Sequence, residues 1–160
     1  MTFTESLRIL LFEGDDKVKK DDHSLDLRGA GMAGEMILIV EDSALNLKVV
    51  QTVLKPHGYQ LVTAVDGEEA IQVATRMQPD LVLMDMQLPK ISGYEATQTL
   101  KSQPATAHIP VVALTAHAMT EEREKAMSSG CDGYITKPVD TRALPGQVRQ
   151  YLDALATNSE

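Results

Sequence analysis

From residue 36 onward, short apolar runs alternate with helix-like stretches at a regular spacing, the pattern of strands and crossover helices in a parallel sheet. Five such units are legible, with strands read at 36–40, 60–64, 81–84, 111–114 and 133–136. The first, third and fourth are nearly continuous apolar runs, as strands covered on both faces should be. The predicted class is α/β, a doubly wound five-stranded parallel sheet with helices on both faces. Helix starts are marked by Asp66 with Glu69 and by Ser92 with Glu95, each a polar cap followed three residues later by Glu. Gly58 and Gly130 supply stops. Pro145 and Gly146 fall where the fifth helix would make its first turns, which predicts that this helix begins late or bends.

Residues 1–35 have a different character. They hold five basic and eight acidic residues, a net charge of -3, with an apolar stretch from Leu7 to Phe12, a polar run after it, then Gly29, Gly31 and Gly34. They read as an extension to a domain at 36–157, disordered or foreign to the natural chain, with Met32 and Met36 as alternative starts. The competing expectation is that Leu7 to Phe12 adds an edge strand.

Composition narrows the function. With 160 residues, 43% hydrophobic and 4% aromatic, the chain predicts one domain with an aliphatic and methionine core. A formal charge of -8 with scattered basic residues argues against direct nucleic-acid binding. The single Cys131 excludes an internal disulfide and a cysteine-built metal site. No apolar run approaches the roughly 18 residues a membrane span needs, and no signal peptide is legible, so the expectation is a cytoplasmic protein without membrane attachment.

In an open parallel sheet, the ligand crevice lies beyond the carboxyl ends of the strands where strand order reverses. The first strand ends in Glu41 and Asp42, the third in Asp85, the fourth in Thr115, and the fifth leads to Lys137. Three carboxylates in one crevice repel, about 4 kcal/mol for a pair 4 Å apart at an effective dielectric near 20, and so call for a cation. Mg2+ (or Mn2+) suits such an oxygen site and also accepts phosphate oxygens. Lys137 adds a second positive charge suited to phosphate, and Thr115 adds a hydroxyl donor. A carboxylate nucleophile, a metal and a lysine together describe phosphoryl transfer to Asp, with Asp85, alone at the end of the central strand, as nucleophile.

Four segments, Ile39-Val40-Glu41-Asp42, Leu83-Met84-Asp85-Met86-Gln87-Leu88-Pro89 with Gly93, Ala113-Leu114-Thr115-Ala116 and Tyr134-Ile135-Thr136-Lys137-Pro138, resemble the receiver domain of response regulators in two-component signalling. The resemblance spans 36–155 and extends to stand-alone receivers of the DivK and chemotaxis kinds. It implies the flavodoxin-like strand order 2-1-3-4-5. It implies that Asp85 takes a phosphoryl group from a histidine kinase or histidine phosphotransfer protein, and that Asp42, Asp85 and the Gln87 backbone carbonyl bind the metal, Glu41 helping through water. It also implies that Thr115 and Tyr134 form a coupled switch altering the face of the fourth helix, fifth strand and fifth helix, and that Lys137-Pro138 is a cis peptide.

Blander roles stand beside these. Glu41, Asp42 or Ser43 would serve as caps of the first helix, Tyr134 as plain core, and Met84, Met86, Met119 and Met127 as packing or interface residues. The histidines show no ligand spacing and read as surface residues, except His117, two residues after Thr115, which is expected at the site rim with an influence on dephosphorylation. The reading is a phosphorylation-controlled module, monomeric or dimerising on phosphorylation, whose output is a downstream protein effector, and whose own catalysis is limited to self-phosphorylation and autodephosphorylation. The alternatives are a receiver fragment of a hybrid histidine kinase and a metal-dependent phosphohydrolase with an Asp nucleophile. The hydrolase would want a second Asp two residues after the first, where Gln87 stands.

Overall fold

The computed structural model describes residues 34–116 and 119–157. The expectations for the segment before residue 34, and for His23 and His117, lie outside the described residues. The elements run β1 (Met36–Val40), α1 (Ala44–Leu54), a 3-10 turn (Lys55–His57), β2 (Gln60–Ala64), α2 (Gly67–Met77), β3 (Leu81–Asp85), α3 (Gly93–Ser102), β4 (Val111–Thr115), α4 (Thr120–Ser128), β5 (Gly133–Thr136) and α5 (Leu144–Thr157). Every strand pair is parallel and the sheet order is β2-β1-β3-β4-β5, so the chain reverses direction across the sheet beside β1 and β3. That reversal opens a crevice at their carboxyl ends.

β1, β3 and β4 are the inner strands, and β3 and β4 are buried along their whole length. The outer strands β2 and β5 are partly exposed, which explains why their sequences carry more polar residues. Alternation along β3 splits the core in two. Val82 and Met84 join Val73, Ala74, Ala96, Leu100 and Ala126 in the layer under α2, α3 and α4. Leu81 and Leu83 join Val50, Leu54, Leu144, Val148 and Leu152 in the layer under α1 and α5. Each such large side chain contributes about 1.5–3 kcal/mol by burial.

Ser43 caps α1, accepting from the Asn46 amide at 3.3 Å, and Ser92 with Glu95 forms a complete capping box on α3. Asp66 caps α2 through the Glu69 amide, while the Glu69 carboxylate turns instead to the amide of Val65. Gly58 and Gly130, at φ 85° and 106°, take the left-handed conformation that ends a helical turn without a Cβ penalty. Two expectations change. β3 and β4 each run one residue further than read, so that Asp85 and Thr115 are themselves strand residues. Helix α5 does not begin late: it starts at Leu144 with Pro145 in its first turn, where a missing amide proton leaves no intrahelical bond unmade. Asp140 prepares that start, its Oδ1 accepting from the amides of Arg142 and Ala143.

Candidate functional site

The carboxyl ends of β1, β3 and β5 bring their charged residues into one crevice. Oxygen atoms of Glu41, Asp42 and Asp85 lie within 4.8 Å of one another. Lys137, following β5, sends its Nζ to Glu41 Oε2 at 3.0 Å and to Asp85 Oδ2 at 3.2 Å. Asp85 Oδ1 accepts from the Gln87 amide at 3.1 Å, so both oxygens of this carboxylate have assigned donors. Glu41 and Asp85 are buried, 2% and 4% exposed, whereas Asp42 is exposed on the solvent side of the cluster. Glu41 Oε1 also accepts from the Ser43 amide, tying the acidic loop to the start of α1.

Burial pushes the Asp85 carboxyl up to about 6, and the Glu41 carboxylate beside it adds to the rise against the lowering effects of the Gln87 amide and Lys137. Burial works against the charge on Lys137, but Glu41 and Asp85 outweigh it and raise its pKa. The lysine therefore stays charged between two carboxylates. With three acids facing one ammonium, the cluster retains negative charge. Its oxygen-only donor set fits a hard divalent cation.

Thr115 is buried at the end of β4, one residue beyond Leu114, the register partner of Asp85. Its carbonyl accepts from the Lys137 amide at 2.7 Å, which fixes the backbone on both sides of the crevice. The Lys137-Pro138 peptide is cis. Tyr134 is half-buried, with the Arg123 guanidinium 4.7 Å above its ring. The loop after Asp85 is anchored twice. The Gly93 amide donates to the Met86 carbonyl at 2.9 Å, and Lys90, at φ 71°, pairs with Asp66 at 3.3 Å.

Residues 37–149 match the family described as the response regulator receiver domain. The chain belongs to the response regulator receiver family. The polar-differentiation response regulator DivK of Brucella anthropi is 40% identical over 116 residues, 72% of this chain and 94% of that protein. The receiver domain of a sensor histidine kinase from Pseudomonas aeruginosa, solved with a magnesium ion coordinated in its active-site cleft, is 34% identical with a TM-score of 0.70, covering 76% of this chain and 99% of that one. A chemotaxis response regulator of Vibrio cholerae is 27% identical with a TM-score of 0.69, covering 74% and 98%. Receivers are signalling switches rather than turnover enzymes, working between histidine kinases and downstream effectors. Among the described residues of this receiver, no helix is long and apolar enough to cross a membrane.

Two clefts open on this side of the sheet and at its β5 edge, the first of them beside the acidic crevice. One of about 710 Å3 opens between the loop after Asp85 and α3, with Asp42, Gln87, Tyr94 and Lys125 on its walls. The other, about 620 Å3, lies between α4 and α5 beside Tyr134, with Arg123 and Tyr151 on its walls. Sequence reasoning missed what shapes these walls. The Tyr151 hydroxyl accepts from the Tyr134 amide at 3.3 Å and donates to the Tyr134 carbonyl at 3.2 Å, at the outer edge of the sheet. No spacing rule joins residues 17 positions apart on a strand and a helix. Cys131 is buried with its thiol toward Thr97, and burial pushes it up to about 11, so it is a packing residue without thiolate chemistry at neutral pH.

Proposed function

We propose that Asp85 is the phosphoacceptor, taking a phosphoryl group from a phosphohistidine of a kinase or phosphotransfer protein. The observation that carries this reading is Lys137 bridging Glu41 and Asp85 beside Asp42 at the carboxyl end of the sheet. An Asp85 carboxylate oxygen bonds to phosphorus as the P–N bond to the donor imidazole breaks, leaving an acyl phosphate on Asp85 and the imidazole to recover its proton. Lys137 holds Asp85 Oδ2 and the Gln87 amide holds Oδ1, which orients the carboxylate before attack. As the phosphoryl charge arrives, the Lys137 ammonium and the Thr115 hydroxyl offer it donors.

Asp42, Asp85 and the Gln87 carbonyl would hold Mg2+ (or Mn2+), with Glu41 acting through water while engaged with Lys137. When bound, the ion neutralises carboxylate and phosphoryl charge in the crevice. Thr115 engaging the phosphoryl group vacates space toward which Tyr134 turns, and the α4-β5-α5 face changes its affinity for a protein effector.

Incubation with a small acyl phosphate and Mg2+, followed by intact-mass measurement, tests the assignment. One hydroxylamine-labile phosphoryl group is expected on the wild type and none on Asp85→Asn. Labelling retained in Asp85→Asn moves the acceptor elsewhere.

A further inference from the structure

Helix α4 sends a single residue, Ala126, into the core, while Met127 on it and Met119 just before it are exposed. Side-chain contacts on its two flanks hold it instead. Toward α3, the Tyr94 hydroxyl donates to Glu122 Oε1 at 2.7 Å, and Lys125 Nζ lies 4.4 Å from the centroid of the same ring. Glu122 and Lys125, three residues apart, share the helix face turned to Tyr94. Toward β5, Arg123 covers the Tyr134 ring at 4.7 Å. The helix is thus gripped between two tyrosines, one on each side. Burial pushes the Tyr94 hydroxyl up to about 12, and the Glu122 carboxylate adds to the rise, so it remains a donor across the physiological range.

We propose that Tyr94, Glu122 and Lys125 form an autoinhibitory latch, holding α4 against α3 in the unphosphorylated chain and yielding when the α4-β5-α5 face reorganises. The inference rests on the switch reading above for the force that opens the latch. A Tyr134 ring that turns inward leaves Arg123, and one of the two grips on α4 goes with it. What then resists movement of α4 is the Tyr94 side, because Ala126 alone gives the helix little apolar anchorage. A modification shifts a two-state equilibrium only by its differential interaction with the two states, so a contact made in the resting state subtracts directly from the phosphoryl group's effect.

Amide hydrogen exchange on the full chain tests this in wild type, Tyr94→Phe, Glu122→Gln and a distant control, Thr75→Ala. Without phosphodonor, exchange across 120–128 should rise by roughly tenfold in Tyr94→Phe, the effect of losing one hydrogen bond to a charged acceptor, and by less in Glu122→Gln, whose amide oxygen still accepts but carries no charge, with β3 and β5 unchanged. Titration with beryllofluoride and Mg2+ as a phosphoryl mimic, read at Tyr134 by NMR, should show half-saturation at lower mimic concentration in the latch variants and no shift in the control. Unchanged α4 exchange, or loosening that spreads equally through the sheet, overturns the latch. So does a wild-type response that Tyr94→Phe leaves unshifted. A wild type that ignores the mimic altogether overturns the switch reading, and the latch with it.

Discussion

Gly93 sets how closely α3 approaches the strand that carries Asp85. A Cβ at this position would fall on the Asp85 carbonyl oxygen and come within 2.6 Å of Met86 Cα, both backbone atoms that cannot swing aside. Gly93→Ala should therefore cost about 3 kcal/mol of stability by overpacking. At Gly146, in the first turns of α5, a Cβ meets nothing within 4 Å, so Gly146→Ala should gain about 0.5–1 kcal/mol. Denaturant midpoints at constant slope measure both, and equal effects at the two glycines would defeat the steric argument. The acids also separate by environment. Asp42 is exposed and adjoins the cleft, whereas Glu41 is buried in its ion pair with Lys137. Asp42→Ala should weaken Mg2+ binding roughly tenfold or more, since even outer-shell partners of a metal are commonly worth that much, and Glu41→Ala should weaken it less. Metal titration gives the order, and negligible effects from both substitutions would place the ion elsewhere. At this scale the candidate acids, Thr115 and Lys137 were legible because each ends or follows an apolar run. Tyr94 and Glu122 were not, because residues 28 apart meet only when α3 and α4 stand side by side.

Helix α5 is fastened to the start of β1 by a side-chain pair that no element boundary announced. Arg149 donates to both carboxylate oxygens of Glu35, at 2.7 and 3.4 Å, and also to Asp153 one turn along at 3.1 Å. Burial works against the Glu35 charge, but Arg149 outweighs it and holds the carboxyl below its usual range. A depressed folded-state pKa means the stabilisation is fully present above the unfolded pKa and lost as pH falls through the folded one. Glu35→Gln should be less stable than wild type at neutral pH by under about 1 kcal/mol, because both groups are partly solvated. The gap should close on acidification below roughly pH 4, where unfolded Glu takes up its proton. Urea denaturation at neutral and acid pH decides this, and a pH-independent gap would show that Arg149 does not act through the charge. The end of α2 was equally hidden. Gln78 occupies the left-handed position at φ 51°, and its side-chain amide donates to the carbonyls of Thr75 and Ala105. Gly or Asn usually marks such a stop, so the sequence carried no warning.

Across the whole molecule, every residue of the proposed phosphoryl site lies after residue 40, and the family match begins at 37. Removal of residues 1–33 should accordingly leave phosphoryl labelling of Asp85 unchanged, whereas a cut that also removes Glu35 forfeits its pair with Arg149. Labelling lost with residues 1–33 would assign that segment a part in the domain. The alternation of apolar runs and helix-like stretches sufficed for the strands, because strands buried on both faces must be apolar throughout. The strand-end positions of Glu41, Asp42, Asp85 and Lys137 sufficed to bring them into one crevice, because parallel strands deliver all their carboxyl ends to one edge of the sheet. Such patterns are local and periodic, and they survive in one dimension. Tertiary structure alone decided which acid is buried against Lys137 and which faces solvent, since that depends on the loops around the crevice. It alone decided that Tyr151 bonds the backbone of Tyr134 and that α4 hangs between Tyr94 and Tyr134. These contacts join side chains from different elements whose separation along the chain obeys no period, so they exist only once the helices have been set down on the sheet.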